Sequence, residues 1–430
     1  MTRPLSFAVA AFIPVSFALQ GCDSGADKQE VAVAKSSLSR VTEPQVSPAD
    51  SATLAADNAA FALDAYKKLV ATKDNLIFSP ASISIALAMT YAGAAGTTAS
   101  EMAKALHFSL PPERLHPAFD ALDLALASRG EGKQGADGGP MRLHVVNAAW
   151  AERTYAFRPE YLDILGANYG AGINLLDFVT APEPARITIN DSVADQTEQK
   201  IKDLLPAGSI DSLTRLVLTN AVYFNAAWQK AFPPEDSRDG SFSTLAGSSV
   251  TTRFMSGTFA NVLAAQGAGY AAVALPYQDE RLSMLFVVPD AGTFTAFEAS
   301  LDATKLDAIL ASMASQQVIL SVPRFRIETE ASLSDMLQEL GMQAAFTPGV
   351  ADFSGMDGTQ SLYISKVLHK AFIDVAEKGT EAAAATAVVV SLTSAPTGLY
   401  IVADRPFLYF LRDEPTGAIL FAGRVVDPTL

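Results

Sequence analysis

Between Glu381 and Asp404 the chain runs for 22 residues without a charge, from Ala382 to Ala403. Such a run would suit a membrane-spanning helix by length, but Pro396, Gly398 and five Ser/Thr residues make a poor one. A buried core helix would suit the alanines, whereas Val388, Val389, Val390 and the threonines favour a strand. A flexible linker would not carry three consecutive valines. The fourth reading is a segment built to be a strand without having to be one in the state first folded. Glu377-Lys378-Gly379 ahead of it supplies two charges and a glycine, a natural hinge at a strand end. The small residues from Ala382 to Ala385 can enter a central strand without clashing on either face, and no proline interrupts Gly379 to Ala395. Extended at roughly 3.3 Å each, the sixteen residues from Thr380 to Ala395 reach about 50 Å, a full-length central strand.

The rest of the chain supplies a body for such a strand to enter. With 430 residues, 49% apolar and 18% charged, it has ample core material and is not disordered. A net charge of −15 repels a phosphate backbone, so no nucleic-acid partner is expected. Four histidines and one cysteine leave no zinc cage and no disulfide framework. HExxH, SxxK, GxSxG and a Walker A lysine are absent, and Gly267-Ala268-Gly269 is only a partial echo of a dinucleotide loop. His107, His116 and His144 fall in helix or strand patterns and read as structural groups. No catalytic role, cofactor or metal is expected.

Residues 1–22 read as a secretion signal: Arg3, then an uncharged, mostly apolar run of 15 residues from Leu5 to Leu19, too short to span a bilayer. Its end, Leu19-Gln20-Gly21-Cys22, resembles the lipobox of bacterial lipoproteins, with Cys22 as the lipidated residue. The implied location is a bacterial cell envelope, lipid-anchored at the inner or outer membrane. Residues 23–50 are rich in Ser, Ala, Asp, Lys, Gln and Pro without periodicity and read as a flexible tether; residues 51–430 form one domain.

Within that domain Leu54, Asn58, Phe61, Ala65 and Leu69 keep helical spacing. Ser79-Pro80 offers a helix start, and the residues after it are apolar nearly all round, which predicts a buried helix. Thr98 to Glu101 fits a capping box, and Leu115, Phe119, Leu122 and Leu126 mark another helix. Residues 130–139 read as a surface loop. Residues 182–204 and 332–340 read as helical; 142–150, 216–224, 271–275, 282–288 and 318–322 read as strands. The last 60 or so residues are mostly strand-like, at 372–375, 400–403, 407–412 and 418–425. The pattern is α+β with large, mainly antiparallel sheets and helices concentrated in the N-terminal half.

On these residues the chain resembles the serpins from about Leu54 to Leu430. The stretch Glu377-Lys378-Gly379-Thr380-Glu381-Ala382-Ala383-Ala384-Ala385-Thr386 is similar to the hinge of inhibitory serpins. Ile401-Val402-Ala403-Asp404-Arg405-Pro406-Phe407-Leu408-Tyr409-Phe410-Leu411 fits the family signature. Phe78-Ser79-Pro80-Ala81-Ser82 resembles the start of the helix under the main sheet. The resemblance implies a serpin fold with an exposed reactive-centre loop. It also implies a polar shutter cluster of Ser79, Ser82, Asn220 and His369 where the sheet opens. At the breach, Trp228 is implied, with Arg324 paired to Glu377.

The activity implied is suicide inhibition. A serine protease attacks the loop, and the cut loop enters the main sheet as a new strand before the acyl-enzyme is hydrolysed. Counting from Glu377 puts the reactive bond between Thr393 and Ser394; counting back from Phe407 puts it after Ala395, ahead of Pro396, a poorer substrate. The bond after Leu392 is also open. With no Arg or Lys among these positions, elastase-like or subtilisin-like serine proteases are the implied partners of a monomer. Inhibition of papain-like cysteine proteases by the same trap and a non-inhibitory role as a surface binding protein are the alternatives. Period-2 alternation puts Thr380 on the core face and Glu381 on the other, with Thr380 on an exposed loop end before insertion.

Overall fold

The computed structural model describes residues 28–381 and 398–430. Ten helices are described: α1 (Pro48–Leu69), α2 (Pro80–Tyr91), α3 (Gly96–Ala105), α4 (Pro112–Ala127), α5 (Pro159–Tyr169), α6 (Pro182–Gln196), α7 (Phe294–Ala299), α8 (Ala303–Ser312), α9 (Ser334–Glu339) and α10 (Ser354–Asp357). The first eight strands are β1 (Ala32–Ala34), β2 (Leu76–Phe78), β3 (Arg142–Glu152), β4 (Ile173–Leu176), β5 (Leu216–Ala227), β6 (Arg238–Ser243), β7 (Ser249–Gly267) and β8 (Tyr270–Pro276). The other eight are β9 (Leu282–Pro289), β10 (Ala314–Pro323), β11 (Phe325–Ser332), β12 (Ile364–Ala376), β13 (Gly379–Thr380), β14 (Leu399–Val402), β15 (Phe407–Asp413) and β16 (Ile419–Val425).

They make a seven-stranded sheet, in the order β1-β4-β3-β5-β13-β12-β11, and a nine-stranded one that runs β14-β10-β7-β8-β9-β15-β16-β2 with β6 beside β7. Most ladders are antiparallel; β3–β4, β5–β12 and β10–β14 are parallel. Helix α2 packs on β3 and β5 on one side and on β16 on the other. Every residue from Pro80 to Thr90 is buried, as an all-round apolar helix requires. Burying Ile83, Ile85, Leu87 and Met89 contributes about 1.5–3 kcal/mol each, as an upper estimate.

Several local expectations change. Helix α3 starts at Gly96, so Thr98 and Glu101 lie within it and form no capping box. Their side chains accept from the backbone N–H groups of Asp352 (2.9 Å) and Ala344 (2.7 Å) instead, tying α3 to a distant loop. The helix expected to reach residue 204 stops at Gln196, because Glu198, Gln199 and Asp203 take left-handed backbone angles. Residues 130–139 are not merely surface loop: Ala136 is buried and its N–H donates to Asn225 Oδ1 at 2.7 Å. Gly267-Ala268-Gly269 is the turn between β7 and β8, with Gly269 at φ +87°. His107 sits left-handed just past α3 with Nε2 2.9 Å from Asp64, and buried His116 meets the Tyr169 hydroxyl at 2.7 Å.

The largest correction concerns the tether, whose described part from residue 28 to residue 50 is docked. Ser47 caps α1 by accepting from the Asp50 N–H at 3.1 Å, with Pro48 in the first turn. Ahead of it β1 adds to the exposed edge of β4, from Ala32↔Leu175 to Ala34↔Ile173. Gln29 donates to the Asp177 and Ala181 carbonyls and accepts from the Asp177 N–H. Arg40 Nε lies 2.7 Å from the fully buried Asp120 and its Nη2 2.7 Å from Asp123. The segment is thus held by backbone pairing and by the side chains of Lys28, Gln29, Ser36 and Arg40.

Asp120 is the exposed nerve of that arrangement. Burial pushes its carboxyl above the ordinary range even with Arg40 beside it, and Oδ2 has no hydrogen-bond partner among the described residues. Arg40→Ala should therefore destabilise the fold by about 2–3 kcal/mol in urea or thermal unfolding. An unchanged midpoint would mean that the arm adds no net stability.

Candidate functional site

Strands β5 and β12 lie side by side in parallel from Ile364↔Leu216 to Ala371↔Val222. Across this seam His369 is in register with Asn220, and across the next ladder Asn220 is in register with Asn147. The Ser79 N–H donates to His369 Nε2 at 3.2 Å, so Nδ1 carries the proton and donates to Asn220 Oδ1 at 2.5 Å. Asn220 Nδ2 then donates to Ser82 Oγ and Asn147 Oδ1, both at 2.5 Å, while Ser82 donates to Asn147 at 2.9 Å. The four residues expected as a shutter, Ser79, Ser82, Asn220 and His369, are brought together in one buried chain of hydrogen bonds. Asn147 is the member the sequence reading missed; a lone Asn inside the apolar run of β3 was its signal. Burial holds the His369 imidazole neutral, its pKa pushed down to about 3.

At the other end of the seam the strands are held apart. There Gly379 and Thr380 form β13, antiparallel to both neighbours: Thr380 opposite Val375 and Ala226, Gly379 opposite Ala376 and Ala227. A Cβ on Gly379 would lie 2.0 Å from the Ala226 carbonyl oxygen, so only glycine fits this approach. Thr380 is fully buried, not on an exposed loop end, because its Oγ1 is 2.6 Å from the Tyr277 hydroxyl beneath the sheet. Glu381 points away from Thr380's side and pairs with Lys200, as alternation requires. Its left-handed φ of +59° ends the ladder. Between β13 and the closed part of the seam lies a cleft of about 350 Å³ bordered by Asn225, Phe372, Asp374, Lys200 and Glu381. Burial and the nearby Glu381 carboxylate push the Asp374 carboxyl above its ordinary range.

The turn that leads into β13 is anchored from three sides. Trp228 Nε1 donates to the Ala376 carbonyl at 3.0 Å, and the Trp228 N–H donates to the Lys378 carbonyl at 2.9 Å. The Trp228 ring stacks on Tyr277 at 4.4 Å. Glu377, nearly buried, accepts from Arg324 at 2.5 Å and from the Ser237 hydroxyl at 2.7 Å. Burial pushes its carboxyl up, but these two hydrogen bonds outweigh that and hold it below the ordinary range. Arg324 and Trp228, the two breach candidates, thus both meet the 376–378 turn. Ser237 and Tyr277 were not legible: each reaches the site from a different part of the chain, with no local spacing to betray it.

Any further residue added after Thr380 in line with β13 would run down the seam toward His369 and Asn220. It would exchange one parallel ladder for two antiparallel ones. The residues that would follow, Ala382, Ala383, Ala384, Ala385 and Thr386, lie outside the described residues. So do the reactive-bond candidates Leu392, Thr393, Ser394 and Ala395, and the lipidation candidate Cys22.

A family model described as Serpin (serine protease inhibitor) matches residues 56–428. An uncharacterised serpin-like protein of Thermococcus kodakarensis is 40% identical over 373 residues, 86% of this chain and 84% of that protein. The leukocyte elastase inhibitor of Homo sapiens is 36% identical over 392 residues, covering 87% of this chain and 99% of its own. Among solved structures, the thermophilic serpin tengpin in its native state superposes with a TM-score of 0.81 at 26% identity, over 93% of this chain and 100% of its own. Thyroxine-binding globulin in complex with thyroxine gives 0.76 at 28% identity, over 87% and 99%.

The buried imidazoles make the fold acid-labile in a defined window. His369, and His116 with its pKa at about 4, bind protons more weakly folded than unfolded. Their stabilisation is full above about pH 6.5 and is lost as pH falls below it. Between pH 6 and 4.5 each should contribute a slope of about 1 kcal/mol per pH unit in unfolding free energy. His369→Gln should remove its share of the slope; an unaltered pH profile would show that the imidazole is not held neutral.

Proposed function

The chain belongs to the serpin family of serine protease inhibitors, and from that premise we propose that it traps its target as a suicide substrate. The target's serine attacks a loop carbonyl, an acyl-enzyme forms, and the new amino terminus departs with the C-terminal fragment; the catalysis is the protease's own. The acylated loop then continues β13 down the seam, carrying the protease with it before water can release it. The observation that carries this reading is β13 itself: the strand to be inserted already has its first two residues paired on both sides. The parallel seam below it is the register it would displace. The proposed reactive bond lies between Thr393 and Ser394, with Leu392 and Ala395 as the neighbouring candidates. Small and apolar residues there favour an elastase-like or subtilisin-like target. The likeness to leukocyte elastase inhibitors supports that choice.

The test is to mix the protein with pancreatic elastase and with subtilisin, run denaturing gels, and weigh the released C-terminal peptide. A detergent-stable adduct and a peptide that begins at Ser394 are expected. Cleavage without an adduct, or no cleavage, would overturn the trap and favour a non-inhibitory member of the family. Thr380→Arg separates insertion from binding. A guanidinium cannot occupy the buried site beside Tyr277 without a partner, so the hinge would be held out of the sheet. The variant should be cut at the wild-type bond yet leave the protease active, with adduct yield reduced at least tenfold. Wild-type adduct yield would show that Thr380 does not gate insertion.

We also propose that the mature chain is a monomer held to the cell envelope of a bacterium through acylated Cys22. Cys22→Ala should move the cleaved protein into the soluble fraction on membrane fractionation. Retention of a cleaved variant on the membrane would overturn the anchor.

A further inference from the structure

Register as well as backbone sets the place where β13 stops. Thr380 lies opposite Val375 on β12 and Ala226 on β5, so the next residue, Glu381, falls opposite Asp374 on one side and Asn225 on the other. Glu381 has taken the first step into that pairing, since its N–H donates to the Asp374 carbonyl at 2.5 Å. There it leaves the ladder with φ +59°, an angle unfavourable for a residue that carries a Cβ. Space does not force it out. The seam is paired only as far as Ala371↔Val222, so the levels of Asp374, Ile373 and Phe372 are open below β13.

Charge does oppose an extended Glu381. Alternation turns Val375 into the core and Asp374 to the outer face, where it is half-buried. A Glu381 in ladder conformation would project from that same face with its Cβ about 5 Å from that of Asp374, and like charges directly opposite destabilise a sheet. The surrounding charges leave the clash in place. Arg326, in register with Asp374 on β11, lays its guanidinium over the Phe372 ring at 4.9 Å, and Asp374 has no ion pair among the described residues. Of the other groups around the cleft, Asp137 and Glu328 are acidic, and Arg142 and Arg324 are engaged by Asp137 and Glu377. Lys200, on the segment after α6, pairs with Glu381 where it now stands. Left-handed, Glu381 faces a cation; extended, it faces a carboxylate.

We propose that Asp374 and Glu381 form an electrostatic stop that halts β13 after two residues and delays entry of the loop. Asp374 touches neither the protease nor the bond that is cut, so it is a positioning residue that acts through Glu381. The stop is small beside the ladders and apolar burial gained by a whole strand, so it slows the first step of entry and leaves the final insertion favourable. Its effect on inhibition rests on the suicide-substrate reading; the stop itself is a property of the uncut protein.

Hydrogen exchange of the uncut full-length protein, followed by mass spectrometry on peptides spanning residues 376–386, tests the stop without a protease. Asp374→Asn should slow exchange after Thr380 at least threefold, because β13 gains paired residues, whereas Asp374→Glu should exchange as the wild type does. Glu381→Gln should slow it to a similar degree, and adding Asp374→Asn to Glu381→Gln should bring no further slowing. Exchange unchanged in Asp374→Asn, or slowed by the same factor with Glu381 already replaced, would overturn the stop. So would slowing by Lys200→Met in place of Asp374→Asn, which would show that the ion pair with Lys200 is what holds Glu381 out. Should Asp374→Asn fail to fold, Glu381→Gln against Lys200→Met still decides. Adduct yield with pancreatic elastase is measured on the same variants. Slowed exchange without any adduct would uphold the stop and overturn the trap; an adduct with unaltered exchange would do the reverse.

Discussion

The parallel seam between β5 and β12 is the interaction on which the rest depends. A parallel pair is slightly weaker per residue than an antiparallel one, and here it lies in the middle of the seven-stranded sheet. The molecule reinforces it with side chains. Asn147, Asn220 and His369 form a row across three strands, and Ser79 and Ser82 at the start of the buried helix below bond to it. The links among Ser79, Ser82, Asn220 and His369 are buried and those to Asn147 partly so, so breaking one strands its partner. The seam is closed by groups whose bonds are mutually conditional, which suits a boundary that is either shut or fully parted.

At the far end the same two strands are kept apart by a different economy of charge. Glu377 is a buried carboxylate that the hydrogen bonds from Arg324 and Ser237 hold below its ordinary range despite burial. That pairing fixes the 376–378 turn, Trp228 clamps the turn from the backbone side, and Gly379 can then pass close against Ala226. The hinge is thus positioned by electrostatics and sterics that do not involve the loop beyond it. Two residues of strand are formed, and the left-handed turn at Glu381 stops the third.

How much of this was legible in the sequence follows the range of the interactions. The buried helix declared itself because Pro80 starts it and its apolar residues leave no polar face. The turn into β13 was legible because Glu377 and Gly379 stand in one contiguous stretch, whereas the alanines after it lie outside the described residues; the seam cluster was named from motif resemblance except for Asn147. What stayed hidden was long-range and side-chain specific. Tyr277 under Thr380, Ser237 on Glu377, and Thr98 and Glu101 diverted from a local cap to a distant loop leave no periodic trace. The docked arm was misread for a related reason. Its strand is three residues long and its fastenings are scattered polar side chains, so composition argued for a tether.

That arm also fixes where on the body the described chain begins. Lys28 and Gln29 lie beside α6, and β1 runs along β4 from Leu175 to Ile173. Leu176 of β4 is level with Glu152, the end of β3 where Ala151 meets Leu216. The hinge pairs at Ala226 and Ala227, the opposite end of β5. Twelve residues of β5 at roughly 3.3 Å each put about 40 Å between those two ends. Residue 28 therefore stands at the end of the sheet opposite the hinge. The hinge end thus lies the full length of the central strand away from residue 28.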